Sequence, residues 1–459
     1  MADRINVTTG SPAGGRSPAG PRAARFIIAG QTQFGPTDGP RIVYSLSDYV
    51  QTFGVRSGGA NMFDAAEFFF GNGGGELVVQ RAYGPSAVLA TIALDTNKIT
   101  VTSRAPGAYY HAITAAFTAS SCTLTLVKPL PSGGTKTVTY SAGSGGTAAD
   151  LAAKASIDPD VTVTVSSLPS GNVSATPLAS GTDDFANVNW ATVLGNVANT
   201  VGSGAMAVPG VNGAAAALAA AATPRRVALL TPVQTDAYTT VATAQGSMTA
   251  ANKQNASYAY PWGAVADGTG GLKVIDGTVY AGKLRNRAIT VYGLGASSLI
   301  RSAHRLVKGF TPLVEVTDAA HTALNTAGVV TIRTLANGVG VDVWATAEGV
   351  NANAKLTGMQ YRDMVNACAD LGARALDGFV GLPASALVLG DARAALIGVC
   401  EQFKPWLVNN GPLDPGYKVV VAAGDVSDNR IQATVSLKFL ESVDYVDFTI
   451  VAASADQSI

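Results

Sequence analysis

The chain has 459 residues, with 31 Lys plus Arg matched by 31 Asp plus Glu, 47% apolar residues and only 14% charged ones. That length suits two to four domains with a sizeable core. The absence of net charge excludes a general field for nucleic acid or an anionic membrane, and so sparse a charged surface suits a subunit covered by neighbours better than a lone soluble monomer.

Cys122, Cys368 and Cys400 are far apart and form no CxxC pair, which points to a reduced compartment and away from a disulfide framework or zinc ribbon. No apolar stretch of signal-peptide type follows Met1, and no uncharged apolar run reaches the roughly 18 residues that a membrane helix needs. The chain therefore reads as soluble and made in the cytoplasm.

Residues 1–24 are rich in Gly, Pro, Ala, Ser and Arg around one strand-like RINV, and read as an extended arm. Order starts at RFIIAG, a short apolar strand. FGPTDGPRIVYSLSDYVQTFG then gives a turn, a strand and a helix start led by Ser47; NMFDAAEFFF reads as a helix and ELVVQRA as the next strand. Residues 25–90 thus alternate α and β. Over 91–183 the texture changes to Thr- and Val-rich segments of period two, split by Gly, Pro and Ser turns, with one small helix at AADLAAKAS. This stretch reads as a β-rich insert.

From Asp184 the α/β texture resumes and runs to residue 429. FANVNWATVLGNVA reads as helical, GAMAVPG as a strand, GAAAALAAAA as a helix, RRVALLTP as a strand, and Val241–Asn255 as helical. In the closing segment, 430–459, Ile431, Ala433, Val435, Leu437 and Phe439 fall on one face of a strand and Gln432, Thr434, Ser436 and Lys438 on the other. After a turn near Glu441–Val443, Val446, Phe448 and Ile450 again share a face, which predicts a strand pair.

Motifs for chemistry are weak. The glycine cluster of FFFGNGGGELVVQRAYG follows a helix and precedes a strand, the reverse of a phosphate loop; it lacks the Lys, and Glu76 would repel an anion. Gly71 is expected to take a left-handed helix cap, with Phe68–Phe70 packing beneath it. VYGLGASSLIRSAHRLV, where a strand-like AITVYG leads into Gly293 and Gly295, is a partial dinucleotide fingerprint without its acidic residue. His111, His304 and His321 form no metal pair, GxSxG is missing, and Cys368 and Cys400 read as buried apolar residues. Asp183–Asp184 reads as capping or solvated, and the charges of RDMVNACADLGARALDGFVG read as the solvated face of a helix whose other face carries Met364, Ala367, Cys368 and Leu371. No residue stands out as catalytic, cofactor-binding or metal-ligating.

In collinear order, Arg25–Gly84, SRAPGAYYHAITAAF (Ser103–Phe117), PLASGTDD (Pro177–Asp184), ASYAYPW, YAGKLRNR, DAAHTALNTAGVVTIRT, TGMQYRDMV and ALIGVCEQFKPWLVNNGPL resemble the sheath proteins of contractile bacteriophage tails and related injection machines. Tyr110 and His111 stand where that family usually has Gly-Asn, and Ser180 where it has Gly. The resemblance implies an α/β core assembled from N- and C-terminal parts (25–90 and 184–429), with an inserted β-rich domain facing outward and extended terminal arms that add strands to neighbouring subunits. Ile5, Val7, Val435, Leu437, Phe439, Val446, Phe448 and Ile450 are then the candidate inter-subunit residues.

It further implies a structural subunit, with no enzymatic role and no cofactor, that polymerises with itself in a helix and contracts to drive a tail tube through the host envelope during genome delivery. Its partners would be tail tube, baseplate and tail terminator proteins, with no direct nucleic acid and no membrane insertion. Its place would be the virion tail, assembled in the host bacterial cytoplasm. A bacterial contractile injection system or tailocin is the rival within the class. An α/β enzyme holding a nucleotide or phosphate at the Gly293 loop is the rival outside it.

Overall fold

The structure, a computed structural model, describes residues 25–56, 62–131, 133–197, 201–222, 226–267, 271–292, 309–335, 338–343, 358–379, 382, 385–423 and 431–440. Ile5, Val7, the Gly293 loop with His304, and Val446, Phe448 and Ile450 lie outside the described residues. The chain forms two compact units, Met1–Leu371 and Gly372–Ile459.

The first unit opens with β1 (Phe26–Gly30), β2 (Arg41–Val43), α1 (Leu46–Phe53), α2 (Met62–Gly71) and β3 (Leu77–Arg81). The chain then builds β4 (Leu89–Leu94), β5 (Ile99–Pro106), β6 (Thr114–Thr118), β7 (Thr123–Pro129), β8 (Thr135–Ser141), α3 (Ala148–Ala155), β9 (Val161–Val165) and β10 (Val173–Pro177). It returns through α4 (Trp190–Gly195), β11 (Gly204–Ala207), α5 (Ala215–Ala222), β12 (Arg226–Leu230), α6 (Tyr238–Gly246), α7 (Ala250–Lys253) and β13 (Ala256–Tyr260). After β14 (Gly263–Ala266), β15 (Leu272–Ile275), α8 (Gly277–Tyr292) and β16 (Thr311–Pro312) come α9 (Asp318–Ala327), β17 (Val330–Leu335), β18 (Gly338–Val343) and α10 (Met359–Asp377).

FIIAG, LVVQR, GAMA and RVALL are buried at every position, without period-two alternation. Such strands need cover on both faces, as parallel strands inside an α/β sheet receive. They are β1, β3, β11 and β12, the middle of an eight-stranded sheet ordered β18-β17-β13-β12-β11-β1-β3-β2. Its six inner strands are parallel, while β2 and β18 close the edges antiparallel. One face buries Phe26, Ile28, Val79, Ala205 and Leu229 with α2 and α8; the other buries Ile27, Val78, Met206, Ala228 and Leu230 with α4 and α5. Strands from before residue 82 and after residue 203 therefore sit side by side in one sheet.

Between them, β4-β5-β9 and β10-β6-β7-β8 form two antiparallel sheets. Their alternating apolar residues (Ile99, Val101, Leu124, Leu126, Val161) share a core with Leu151 of α3. Period-two patterning with one face buried is what antiparallel sheets require.

Several local expectations need correction. α1 is capped by Ser45, whose hydroxyl accepts from Asp48 N at 3.0 Å, and Ser47 is already inside the helix. Gly71 is helical; the left-handed residue is Gly73 (φ 77), in a Schellman closure with Gly74 N donating to Phe69 O and Gly73 N to Phe70 O, each at 2.9 Å. Val241–Asn255 holds two helices, α6 and α7, because Thr249 starts a new one by capping Asn252 N. FANVNWATVLGNVA divides between a 3-10 turn at Phe185–Asn187 and α4, which Asn189 caps.

Ala288–Tyr292 of the strand-like AITVYG form the last turn and a half of α8, because Tyr280, Ala281, Leu284 and Ala288 make a buried helical stripe. Asp363 and Asp370 of α10 are not solvated: they are 2% and 3% exposed, and Asp363 takes two bonds from Arg285 of α8, from Nε at 2.9 Å and Nη2 at 2.6 Å. Asp183 is likewise ion-paired, to the buried Arg81 at 2.5 Å. All three cysteines are buried, and none is in a disulfide.

The second unit begins within α10, at Gly372, and contains α11 (Ala386–Glu401), β19 (Tyr417–Ala423) and β20 (Ile431–Leu437). β20 pairs antiparallel with β19, from Tyr417 opposite Leu437 to Ala423 opposite Ile431. The strand partner expected for it, after Glu441, lies outside the described residues.

Candidate assembly interface

β20 alternates because one face has something to cover it. Leu396 and Cys400 of α11 and Val419 of β19 form a small core, against which Tyr417, Val421, Val435 and Leu437 pack. Phe439 is buried just past the strand, where it bridges Leu407. The structure thus uses the side chains of Val435, Leu437 and Phe439 inside the unit. What remains available on this sheet is backbone: among the described residues β19 and β20 pair only with each other, leaving an outer edge on each.

The two outer edges differ. Beyond β20, Val408 N donates to Lys438 O at 2.8 Å and Leu440 N to Trp406 O at 3.0 Å, so the chain covers that end itself. The outer edge of β19 borders a groove of about 460 Å³ lined by Arg393, Ile397, Pro415 and Tyr417–Val421. Val420 is 46% exposed there. A free β edge offers a row of unpaired N–H and C=O groups that another extended chain can complete. The end of the groove is braced by Tyr417, whose hydroxyl donates to Glu401; this bond and burial push the phenol up to about 12. Lys438 pairs with Asp414 at 2.9 Å nearby. β19 carries a clear signal in the sequence, the β-branched run KVVVAA, less regular than the terminal alternation of β20.

In a doubly wound sheet a ligand would lie outside the carboxyl ends of the strands where the winding reverses, here between β1 and β11. That crevice is filled. A cavity of about 20 Å³ between Asp64, Pro209, Gly210, Trp262, Ile275 and Asp276 has room for about one water. Asp276 is 3% exposed and closes it, accepting from the Thr231 hydroxyl, from Gly210 N at 3.0 Å and from Thr278 N at 3.0 Å. Burial raises its carboxyl pKa against the pull of those bonds. Met62 lies over the end of β1 so closely that a Cβ on Gly30 would meet it at 2.8 Å. His111 accepts from Gly181 N at 2.7 Å and His321 faces Asp342 at 2.8 Å. Among the described residues no group of three or more His, Cys, Asp and Glu could hold a metal, and no helix is long and apolar enough to cross a membrane.

No family model and no curated protein matches the chain. Solved structures do. A sheath tail protein from Listeria innocua superposes with a TM-score of 0.58 at 13% identity, covering 92% of this chain and 96% of that one. A chain of the anti-feeding prophage baseplate gives 0.55 at 14%, with 94% of each chain covered. One from the contracted helical sheath of the same prophage gives 0.53 at 14%, covering 99% and 100%. Over nearly its whole length, the chain has the fold of contractile sheath proteins.

Proposed function

We propose that this chain is the structural subunit of a contractile sheath: it polymerises with copies of itself around a tail tube and contracts to drive the tube through a host envelope. The observation that carries the reading is the full-length likeness to sheath chains, 99% of this chain against 100% of a contracted-sheath chain. The open edge of β19 supports it, since a two-stranded sheet beside a groove is completed by an arm from a neighbour. The arms are residues 1–24 with Ile5 and Val7, and the segment with Val446, Phe448 and Ile450. The β19–β20 sheet serves as the receiving half: Val435, Leu437 and Phe439 pack in their own unit, and the outer edge of β19 is offered to the arm. Baseplate, tube and terminator proteins are the further partners, and the tail is its location.

Genome delivery from a phage tail is the first reading. An injection machine or tailocin is the second, favoured by the likeness to the contracted sheath of an extracellular contractile injection system, which covers 94% of this chain and 92% of that one. The nucleotide-enzyme reading loses its premise, because a helix, α8, runs up to the Gly293 loop where a strand was needed. In either sheath reading the energy of contraction is stored at assembly, so no hydrolysis is required.

Negative-stain electron microscopy of purified chain is expected to show striated tubes. Deleting residues after Asp444 is expected to abolish them while circular dichroism stays unchanged. A stable monomer that never polymerises, or tubes that persist after the deletion, would overturn the sheath reading and the arm assignment respectively.

A further inference from the structure

Four blocks that are far apart in sequence meet at one side chain. Arg81, the last residue of β3, has a fully buried side chain. Its Nη1 donates to Gly35 O at 2.7 Å, in the turn after β1. Its Nη2 donates to Pro106 O at 2.7 Å, at the end of β5, and to Asp183 Oδ1 at 2.5 Å, where the chain returns from β10. One guanidinium thereby joins the core sheet to both the outgoing and the returning connection of the β-rich insert.

The surroundings leave it no slack. Gly107 (φ 129) has no room for a Cβ, which would come 2.8 Å from Asp183 Oδ1 and 3.0 Å from Arg81 Nη2. A Cβ on Gly181 would meet Gly107 O at 2.5 Å. The Phe34 ring of the core turn stacks on Tyr109 of the insert at 4.3 Å between centroids, and Gly35 N donates to the Tyr110 hydroxyl at 3.5 Å. The two crossing chains are laced together: Val88 and Thr182 exchange two bonds of 3.0 Å, Gly84 N donates to Asp183 O at 2.9 Å, and Ser86 N to Asp184 Oδ2 at 2.9 Å.

A pair of chains crossing between two cores is by default a hinge. We infer that Arg81 makes this one a rigid joint, fixing the orientation of the insert (Leu89–Pro177) so that it moves with the eight-stranded sheet as one body. A planar guanidinium can point two nitrogens at three acceptors from three segments at once, whereas the single ammonium of Lys cannot span them. Arg81 acts here as a positioning residue, and the inference does not depend on the sheath reading.

The test measures orientation directly. Because Cys122, Cys368 and Cys400 are buried, spin labels go selectively to Thr137→Cys on β8 and Thr239→Cys on α6, both exposed. Double electron–electron resonance, on labelled protein diluted with unlabelled chain, is expected to give one narrow distance distribution. Arg81→Lys and Gly107→Ala are expected to at least double its width, and Asp183→Asn to give an intermediate width. If Arg81→Lys does not fold, the other two variants, which keep Arg81, carry the test. A distribution as narrow as the parent's in the folded variants overturns the inference, even if their melting temperature falls.

Discussion

Lys283 is fully buried in α8, donating to Asn286 Oδ1 at 3.4 Å with its Nζ 5.0 Å from the centre of the Phe69 ring. Burial, with Arg287 nearby, lowers its pKa to about 8. The unfolded chain holds that proton up to about 10.4, so between about 8 and 10 the unfolded state binds more protons and stability rises with pH. Lys283→Met is expected to flatten that rise and to add about 1–3 kcal/mol at neutral pH, less whatever the ring contact contributes. Guanidinium chloride unfolding at neutral and mildly alkaline pH checks both. A second residue-scale prediction concerns the turn after α2. A Cβ on Gly74 would run into the Phe69 ring and carbonyl, so Gly74→Ala is expected to cost about 1–3 kcal/mol in thermal unfolding. Gly71, with open space around it, is expected to tolerate Ala.

At the scale of elements, α8 and α10 are joined by the Arg285–Asp363 pair, in which both side chains are 1% exposed. Removing one partner leaves a buried charge, so Asp363→Ala is expected to lose about 3–5 kcal/mol in chemical denaturation, most of it regained in an Arg285→Met, Asp363→Leu double variant. This pair was illegible in the sequence. Helical spacing placed Met364, Ala367, Cys368 and Leu371 on a buried face, correctly, but spacing cannot say that the opposite face meets a second helix. The end of α8 is illegible in the sequence for a related reason. AITVY is β-branched and apolar, and only the buried stripe of Tyr280, Leu284 and Ala288 continues it as a helix. The β19–β20 pairing is not legible in the sequence, because alternation reports which face of a strand is covered, not which strand lies beside it.

For the whole molecule, the insert has its own core and its own electrostatic anchor. Lys128 Nζ lies 2.6 Å from Asp158 Oδ1 and 2.7 Å from Asp160 Oδ2, and the Tyr140 hydroxyl donates to Asp158 Oδ2 at 2.7 Å. Burial alone would raise the Asp158 carboxyl, but the bonds from Lys128, Tyr140 and Asp160 N outweigh it and hold it below the ordinary carboxylate range. A depressed folded value contributes stability above about pH 3.9 that is lost as pH falls through the folded pKa. Acidification below about pH 4 is therefore expected to speed amide exchange in β7 and β8 before it does so in β1 and β12. Asp158→Asn is expected to weaken that pH dependence and to cost about 2–4 kcal/mol at neutral pH, since Lys128 keeps only the half-exposed Asp160.

The one-dimensional pattern of this protein was decided by its sequence alone. Buried parallel strands declare themselves as unbroken apolar runs, antiparallel ones as alternation, and helix ends by their capping residues, because each depends on neighbours a few positions away. The long-range partners were decided only by the tertiary structure: Arg81 with Gly35, Pro106 and Asp183, Arg285 with Asp363, and β19 with β20. Charged residues look alike in sequence whether solvated or buried. Which they become depends on what the fold brings to them from tens or hundreds of residues away.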